Sequence, residues 1–325
     1  MITIVGVALV FGVCVPVGFM FMLAPSLAQA GTRPNYRGKP VYLGLGVVWL
    51  IWAVGAVAGG SLVATISDLV MPRLISVAGF LALTAFAFGM VDDALGTTAD
   101  RGFRGHLSAL AHGRLTTGGL KLLGIGASSL GGALLAADHT HWGGKAWSPG
   151  WFANVLAAGA AIALTANLIN LTDLRPGRAL KVYGLLGVVG TYVAAFMLEP
   201  AAGAGADVGP ALAPLFELMP ASASVSAKFT LLYILGPILA TWRFDVGEAG
   251  MLGDAGANPM GAVAGFVFVS GLGASGLWIY LAVVFALNLA SERVSFSRVI
   301  ESRPVLRWID GLGRKPHEED APEQP

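Results

Sequence analysis

The chain has 325 residues, of which 55% are hydrophobic and only 12% are charged, and its mean hydropathy is +0.72. These values exclude an ordinary soluble domain and are typical of a helical protein with many membrane spans. The formal net charge is only +1, and no nucleic-acid partner is expected.

Apolar runs long enough to cross about 30 Å of hydrocarbon recur along the whole chain. They predict an all-α, polytopic bundle, in which the 45 glycines allow close helix packing. Because no basic residue precedes the first run, that run is expected to remain as an uncleaved span. About nine spans are predicted, near 4–29, 41–60, 73–91, 119–137, 151–171, 181–198, 227–242, 259–272 and 275–291.

The distribution of lysine and arginine predicts the orientation of the bundle. If the spans alternate, 17 of the 20 basic residues fall on one side, which the positive-inside rule makes cytoplasmic. The N-terminus is then outside and the C-terminus inside. We expect a transmembrane domain over residues 1–292, a cytoplasmic amphipathic segment over 293–315, broken at Pro304, and a disordered tail over 316–325.

Aspartates lie at the cytoplasmic ends of three predicted spans: Asp92 and Asp93 after one, Asp173 after another, and Asp254 before a third. The orientation was set by basic residues alone, so this convergence is independent support for one shared site. Adjacent carboxylates repel each other unless a cation lies between them. Hard oxygen ligands at this face suit Mg²⁺, with Mn²⁺ as an alternative.

Amide and basic side chains accompany these acids. Asn167 and Asn170 are three residues apart and share a helix face, which Asp173 would continue. Carboxylates with a metal and a basic fringe are the composition expected for phosphoryl transfer. The candidate phosphate contacts on this side are Arg101, Arg104, His106, His112, Arg114, Lys121, Arg175, Arg178 and Lys181.

Each of these features alone has an ordinary explanation, as a solvated helix end, a topology-setting charge or a helix-packing amide. A lipid or solute transporter would also account for acids at a membrane edge, although transporters place such charges near the midplane. A catalytically degenerate membrane scaffold or regulator is a further alternative. Only the joint pattern favours an enzyme.

Three ordered stretches resemble the polyprenyl-phosphate N-acetylhexosamine-1-phosphate transferases, the group that includes the phospho-N-acetylmuramoyl-pentapeptide transferase of peptidoglycan synthesis. The stretches are Gly89-Met-Val-Asp-Asp93, Asn167-Leu-Ile-Asn-Leu-Thr-Asp173 and Met251-Leu-Gly-Asp-Ala-Gly256. Lys121 and the loop Asn35-Tyr-Arg-Gly-Lys-Pro40 also fall where that family has similar residues.

The resemblance implies transfer of an (N-acetyl)hexosamine 1-phosphate from a UDP-sugar to undecaprenyl phosphate, with Mg²⁺ and release of UMP, at the bacterial cytoplasmic membrane. It implies catalytic roles for Asp92, Asp93 and Asp254, with Asp93 and Asp254 at the metal. The implied substrate contacts are Lys121, Asn170 and Asp173. Further candidate contacts, taken from their position beside these acids on the same predicted side, are Asn167, Arg175, Arg178 and His106. A homodimer is expected by resemblance alone.

The chain departs from the family after Asp173. The family continues with Gly-Leu-Asp-Gly, whereas this chain reads Leu174-Arg-Pro-Gly177. The family's C-terminal His-containing loop also has no counterpart. These departures keep the expected metal and phosphate residues but leave the donor sugar and the pathway open.

Overall fold

The computed structural model describes residues 2–29, 31–96, 105, 109, 111–199 and 220–314. Helices dominate this part of the chain, which confirms the predicted all-α class. The helices are α1 (Ile2–Gln29), α2 (Val48–Ile66), α3 (Val70–Leu95), α4 (Thr117–Ala136), α5 (Pro149–Thr172), α6 (Arg178–Leu198), α7 (Ala221–Val246), α8 (Asp254–Ser270), α9 (Ala274–Ser291), α10 (Phe296–Ser302) and α11 (Pro304–Gly311).

Within the described residues, eight helices, α1 to α7 and α9, are long and apolar enough to cross a membrane. The chain is therefore a multi-pass membrane protein. The count is one lower than the nine spans expected, because α8, at the predicted span 259–272, has 17 residues, one fewer than α9. At 1.5 Å per residue α8 is about 26 Å long, close to the length of α9.

Helix α8 occupies the centre of the bundle, packed against α3, α5 and α6, with nearly all of its residues buried. Glycine allows this packing: a Cβ at Gly265 would lie 2.8 Å from the Cβ of Thr165 on α5. The last turn of α8 meets Trp142, which follows α4 and whose indole N–H donates to the Val269 carbonyl at 3.1 Å. The first residues of α8 contact the C-terminal end of α3, at the opposite end of the bundle from Trp142. Helix α8 therefore runs the length of the bundle.

A small three-stranded sheet, absent from the sequence prediction, lies at the end of the bundle where α3 ends and α8 begins. Strand β1 (Thr32–Pro34) pairs antiparallel with β2 (Pro40–Leu43), and β2 pairs parallel with β3 (Gly250–Met251). The sheet holds the loop after α1 beside the segment that leads into Asp254.

The outer surface of the bundle is apolar, as expected for contact with lipid. Ile279, Phe285 and Leu289 of α9 are each more than half exposed. The interior instead holds aromatic side chains in edge-on contact, such as Trp49 with Trp52. A soluble protein would not expose so much apolar surface.

Candidate functional site

A cavity of about 530 Å³ opens at the end of the bundle that carries the sheet. Five of the sequence-predicted site residues line it: Asp93, Asn170, Asp173, Arg175 and Asp254. The ends of three helices and the loop after α1 therefore meet at one place, and the structure brings together acids that lie more than 160 positions apart in sequence.

Lys121 joins two of the predicted carboxylates. It lies in the first turns of α4, and its ammonium nitrogen is 3.0 Å from Asp92 Oδ2 while it also donates a hydrogen bond to Asp254 Oδ2. Its side chain is only 13% exposed. The Lys121 ammonium group thus offsets part of the repulsion between the carboxylates of Asp92 and Asp254.

Asp93 caps helix α8. Its two carboxylate oxygens accept the backbone N–H groups of Asp254 at 3.0 Å and of Ala255 at 2.9 Å. A carboxylate at a helix N-terminus satisfies otherwise unpaired donors and interacts favourably with the helix dipole. Sequence reasoning assigned Asp93 to the metal, whereas the structure engages both of its oxygens in positioning Asp254.

Two glycines allow this cap to form. Gly253 has φ +64°, in the left-handed region, and a Cβ there would lie 2.7 Å from Asp93 Oδ2. A Cβ at Gly89, one helical turn before Asp93, would lie 2.6 Å from the Asp254 carbonyl carbon. Helices α3 and α8 can therefore approach closely only because both positions lack a side chain.

Asp173 lies in the cavity wall directly after α5, beside the backbone N–H of Gly253. Burial raises the pKa of Asp173 well above its usual range, and the nearby carboxylates of Asp245, Asp254 and Asp93 raise it further. The cavity thus concentrates negative charge that a bound cation would stabilise.

Two cavity acids were missed by sequence reasoning, Asp245 and Glu248. Asp245, at the end of α7, accepts the backbone N–H of Gly177 at 2.6 Å. Glu248 accepts from the Asn35 amide at 3.1 Å and pairs with Arg37 at 3.2 Å. A signal for Asp245 was present, since it ends an apolar run much as Asp92 does.

Arg175 lies at the cavity, where its guanidinium carbon sits 4.1 Å from the ring centroid of Tyr36. It also forms an ion pair of 3.1 Å with Glu301 of α10. The loop after α5 is therefore connected on one side to the loop after α1 and on the other to the C-terminal helices.

Two predicted substrate contacts lie elsewhere. Arg178 is buried in a two-pronged ion pair with Asp310 of α11, at 2.8 and 2.9 Å, and also donates to Ser297. The Asn167 amide donates to Asn288 of α9 at 2.7 Å. Three residues turn a helix by about 300°, so Asn167 is rotated by some 60° from Asn170 and faces the neighbouring helix. His106 lies outside the described residues, as do Arg101 and Arg104.

In the described part of the chain, no three His, Cys, Asp or Glu side chains are grouped so as to hold a metal ion by themselves. Magnesium usually takes one or two carboxylates and completes its shell with water and substrate phosphates. Asp254 and Asp173 both line the cavity beside Asn170, and this hard-oxygen donor set fits such a partly open site.

The chain matches no protein-family model, and no curated protein is significantly similar to it. The resemblance to the transferases therefore rests on the three motifs and on the arrangement of their residues around one cavity.

Proposed function

We propose that this chain is an integral membrane transferase that moves an (N-acetyl)hexosamine 1-phosphate from a UDP-sugar to undecaprenyl phosphate, releasing UMP. The site would face the cytoplasm of a bacterial cell, in the synthesis of a cell-envelope polymer. One observation carries the proposal: Asp173 and Asp254 share a cavity of about 530 Å³, with Lys121 beside Asp254 and Arg175 in the cavity wall.

The residues fit a divalent cation of the Mg²⁺ or Mn²⁺ type. Asp254 and Asp173 supply carboxylate oxygens, and the carboxylates of Asp93 and Asp245 lie in the same cavity wall. Bound Mg²⁺ would neutralise charge on the reacting phosphates. Asp93 then acts as a positioning residue, because its cap fixes the backbone of Asp254.

The transfer is a nucleophilic substitution at phosphorus. An oxygen of the lipid phosphate forms a bond to the sugar-bearing phosphorus of the UDP-sugar, the bridging P–O bond breaks, and UMP leaves with its electron pair. Lys121 is placed to stabilise phosphate charge next to Asp254, and Arg175 to contact the nucleotide-sugar from the cavity wall. Asp92, paired with Lys121, sets the position of that ammonium group.

A catalytically inactive relative is the second candidate. The supporting observation is that Asp93 and Lys121 already bind other groups of the protein. In a protein that binds no substrate, these contacts would contribute only to stability. A transporter is less well supported, because the acids lie at one end of the bundle and not at its middle.

The test uses purified protein with undecaprenyl phosphate, Mg²⁺ and a panel of UDP-sugars, and follows UMP release. Release with one sugar, lost with EDTA and in Asp254→Asn and Asp173→Asn, is the expected result. Asp138→Asn, an exposed acid at the opposite end of the bundle, is the matched control. Absence of release from every UDP-sugar by folded protein would overturn the proposal and favour the inactive relative.

A further inference from the structure

Helix α11 is amphipathic, but its polar face packs against the protein and its apolar face is exposed. It buries its acid, Asp310, which is 8% exposed, and leaves Val305 and Trp308 each 67% exposed. These two residues are three positions apart and share one helix face. A helix that turns its apolar face outward requires an apolar environment on that side.

Polar contacts fix this orientation. Arg178 of α6 holds the Asp310 carboxylate, and the Lys181 ammonium donates to the Asp310 carbonyl at 2.6 Å and to the Ile309 carbonyl at 3.0 Å. Arg314 donates to Asp310 and to the Pro176 carbonyl, each at 2.9 Å. Helix α11 therefore cannot roll to bury Val305 and Trp308 without breaking several charged hydrogen bonds.

Basic side chains accompany the exposed apolar residues. Arg298, Arg303 and Arg307 are exposed on α10 and α11. The preceding helix α9 ends at Ser291, so this helix pair starts within a few residues of the membrane-spanning part of the chain. Arginines beside exposed apolar groups at that level match anionic lipid headgroups above an acyl layer.

We propose that α10 and α11, here named the C-terminal hairpin, bind the anionic membrane surface. Val305, Trp308 and Leu312 enter the boundary of the acyl chains, and the three arginines contact headgroup phosphates. The hairpin touches the loop that follows α5 through the Arg175–Glu301 pair and the Arg314–Pro176 hydrogen bond, so the lipid-bound element also abuts the cavity wall. The proposal holds whether or not the cavity is a transferase site.

The test places one copy of the full chain per nanodisc, in a Cys14→Ser background, with an environment-sensitive dye on Val305→Cys. Dyes on Ile279→Cys, exposed on α9, and on Asp138→Cys, exposed beyond α4, calibrate lipid and water. Quenching by nitroxide-bearing lipids is compared between phosphatidylglycerol and phosphatidylcholine discs. Size-exclusion profile and thermal stability are checked for every variant.

The expected result is quenching of the position-305 dye close to that at position 279 in phosphatidylglycerol, and at least about twofold weaker in phosphatidylcholine. The triple change of Arg298, Arg303 and Arg307 to Gln should abolish this lipid dependence. A dye that behaves like the one at position 138 in both lipids would overturn the proposal. So would a dye shielded from water but not quenched, which would indicate a protein surface, or quenching that is equal in the two lipids.

Discussion

Asp93 and Asp254 are joined by a hydrogen bond of 3.0 Å between the carboxylate of the first and the backbone N–H of the second. The same carboxylate accepts the N–H of Ala255. The residue that resembles a catalytic acid therefore fixes the helix end that carries the candidate metal ligand. A change at Asp93 should affect stability and activity together, through one contact.

Replacing Asp93 with Ala should lower the free energy of unfolding by about 1–2 kcal/mol, since a helix cap is lost. Asp93→Asn should be intermediate, because the amide retains one acceptor oxygen. Thermal unfolding in detergent measures stability, and UMP release measures activity. Both should fall for Asp93→Ala.

Glu199 offers a matched control at the opposite end of the bundle. Its carboxylate caps α3, accepting the N–H groups of Val70 and Met71 at 3.0 Å each and the Ser226 hydroxyl at 2.6 Å. Glu199→Ala should lower the melting temperature comparably while folded protein keeps its activity. Equal loss of activity in both variants at a permissive temperature would contradict a specific role for the Asp93 cap.

Lys121 should be required for activity more than for folding. Lys121→Met leaves Asp92 and Asp254 without the ammonium group between them and removes a cation from the proposed phosphate site. We expect UMP release to fall about 100-fold, as for the loss of one preorganised electrostatic contact. Lys121→Arg should retain more activity than Lys121→Met. Wild-type release from Lys121→Met would exclude a phosphate role for this residue.

Gly89 tests how closely α3 must approach α8. Gly89→Ala places a Cβ 2.6 Å from the Asp254 carbonyl carbon, so the helices must separate and the Asp93 cap must lengthen. We expect lower thermal stability and little UMP release. Gly126→Ala in α4 is the control, because its added Cβ would meet no atom within 4 Å and alanine favours helix. Similar behaviour of the two variants would contradict the close-packing argument.

The gathering of Asp93, Asp173 and Asp254 at one end of the bundle could be predicted from the sequence. Basic residues set the sidedness of the spans, and each acid adjoins a span on the basic side. Their individual partners could not be predicted, because neighbouring residues on a helix point about 100° apart. Asp92 therefore meets Lys121 while Asp93 meets the backbone of α8.

Other parts of the site left too little signal in the sequence. Strands β1 to β3 have two to four residues each, too short for an alternating pattern to be recognised. Arg178 stood among several basic residues of one loop region, and only the docking of α11 distinguishes it. Its bond to Asp310 also gives a structural reason for an arginine directly after Gly177.

The docking of α11 should depend on the ionised form of Asp310. Burial alone would raise the pKa of this carboxyl, but the hydrogen bond from Arg178 and the charge of Arg314 more than offset it, so that its pKa lies below the ordinary 3.8. A depressed folded-state pKa gives a stabilising contribution that is present above the unfolded-state pKa. It is lost only as pH falls through the folded-state value. Docking should therefore be constant from about pH 5 to 7 and weaken as pH falls below about 3.8 towards the folded-state pKa.

Distances between spin labels on Val305→Cys and Leu185→Cys, the latter exposed on α6, measure the docking in a Cys14→Ser background. A narrow distribution at neutral pH should broaden as pH falls below about 3.8. Asp310→Asn should broaden it already at pH 7, since hydrogen bonds to a charged group contribute about 1.5–3 kcal/mol. Glu301→Gln removes a half-exposed pair with Arg175 and should change little. A narrow distribution in Asp310→Asn at neutral pH would show that the ion pair does not hold the helix.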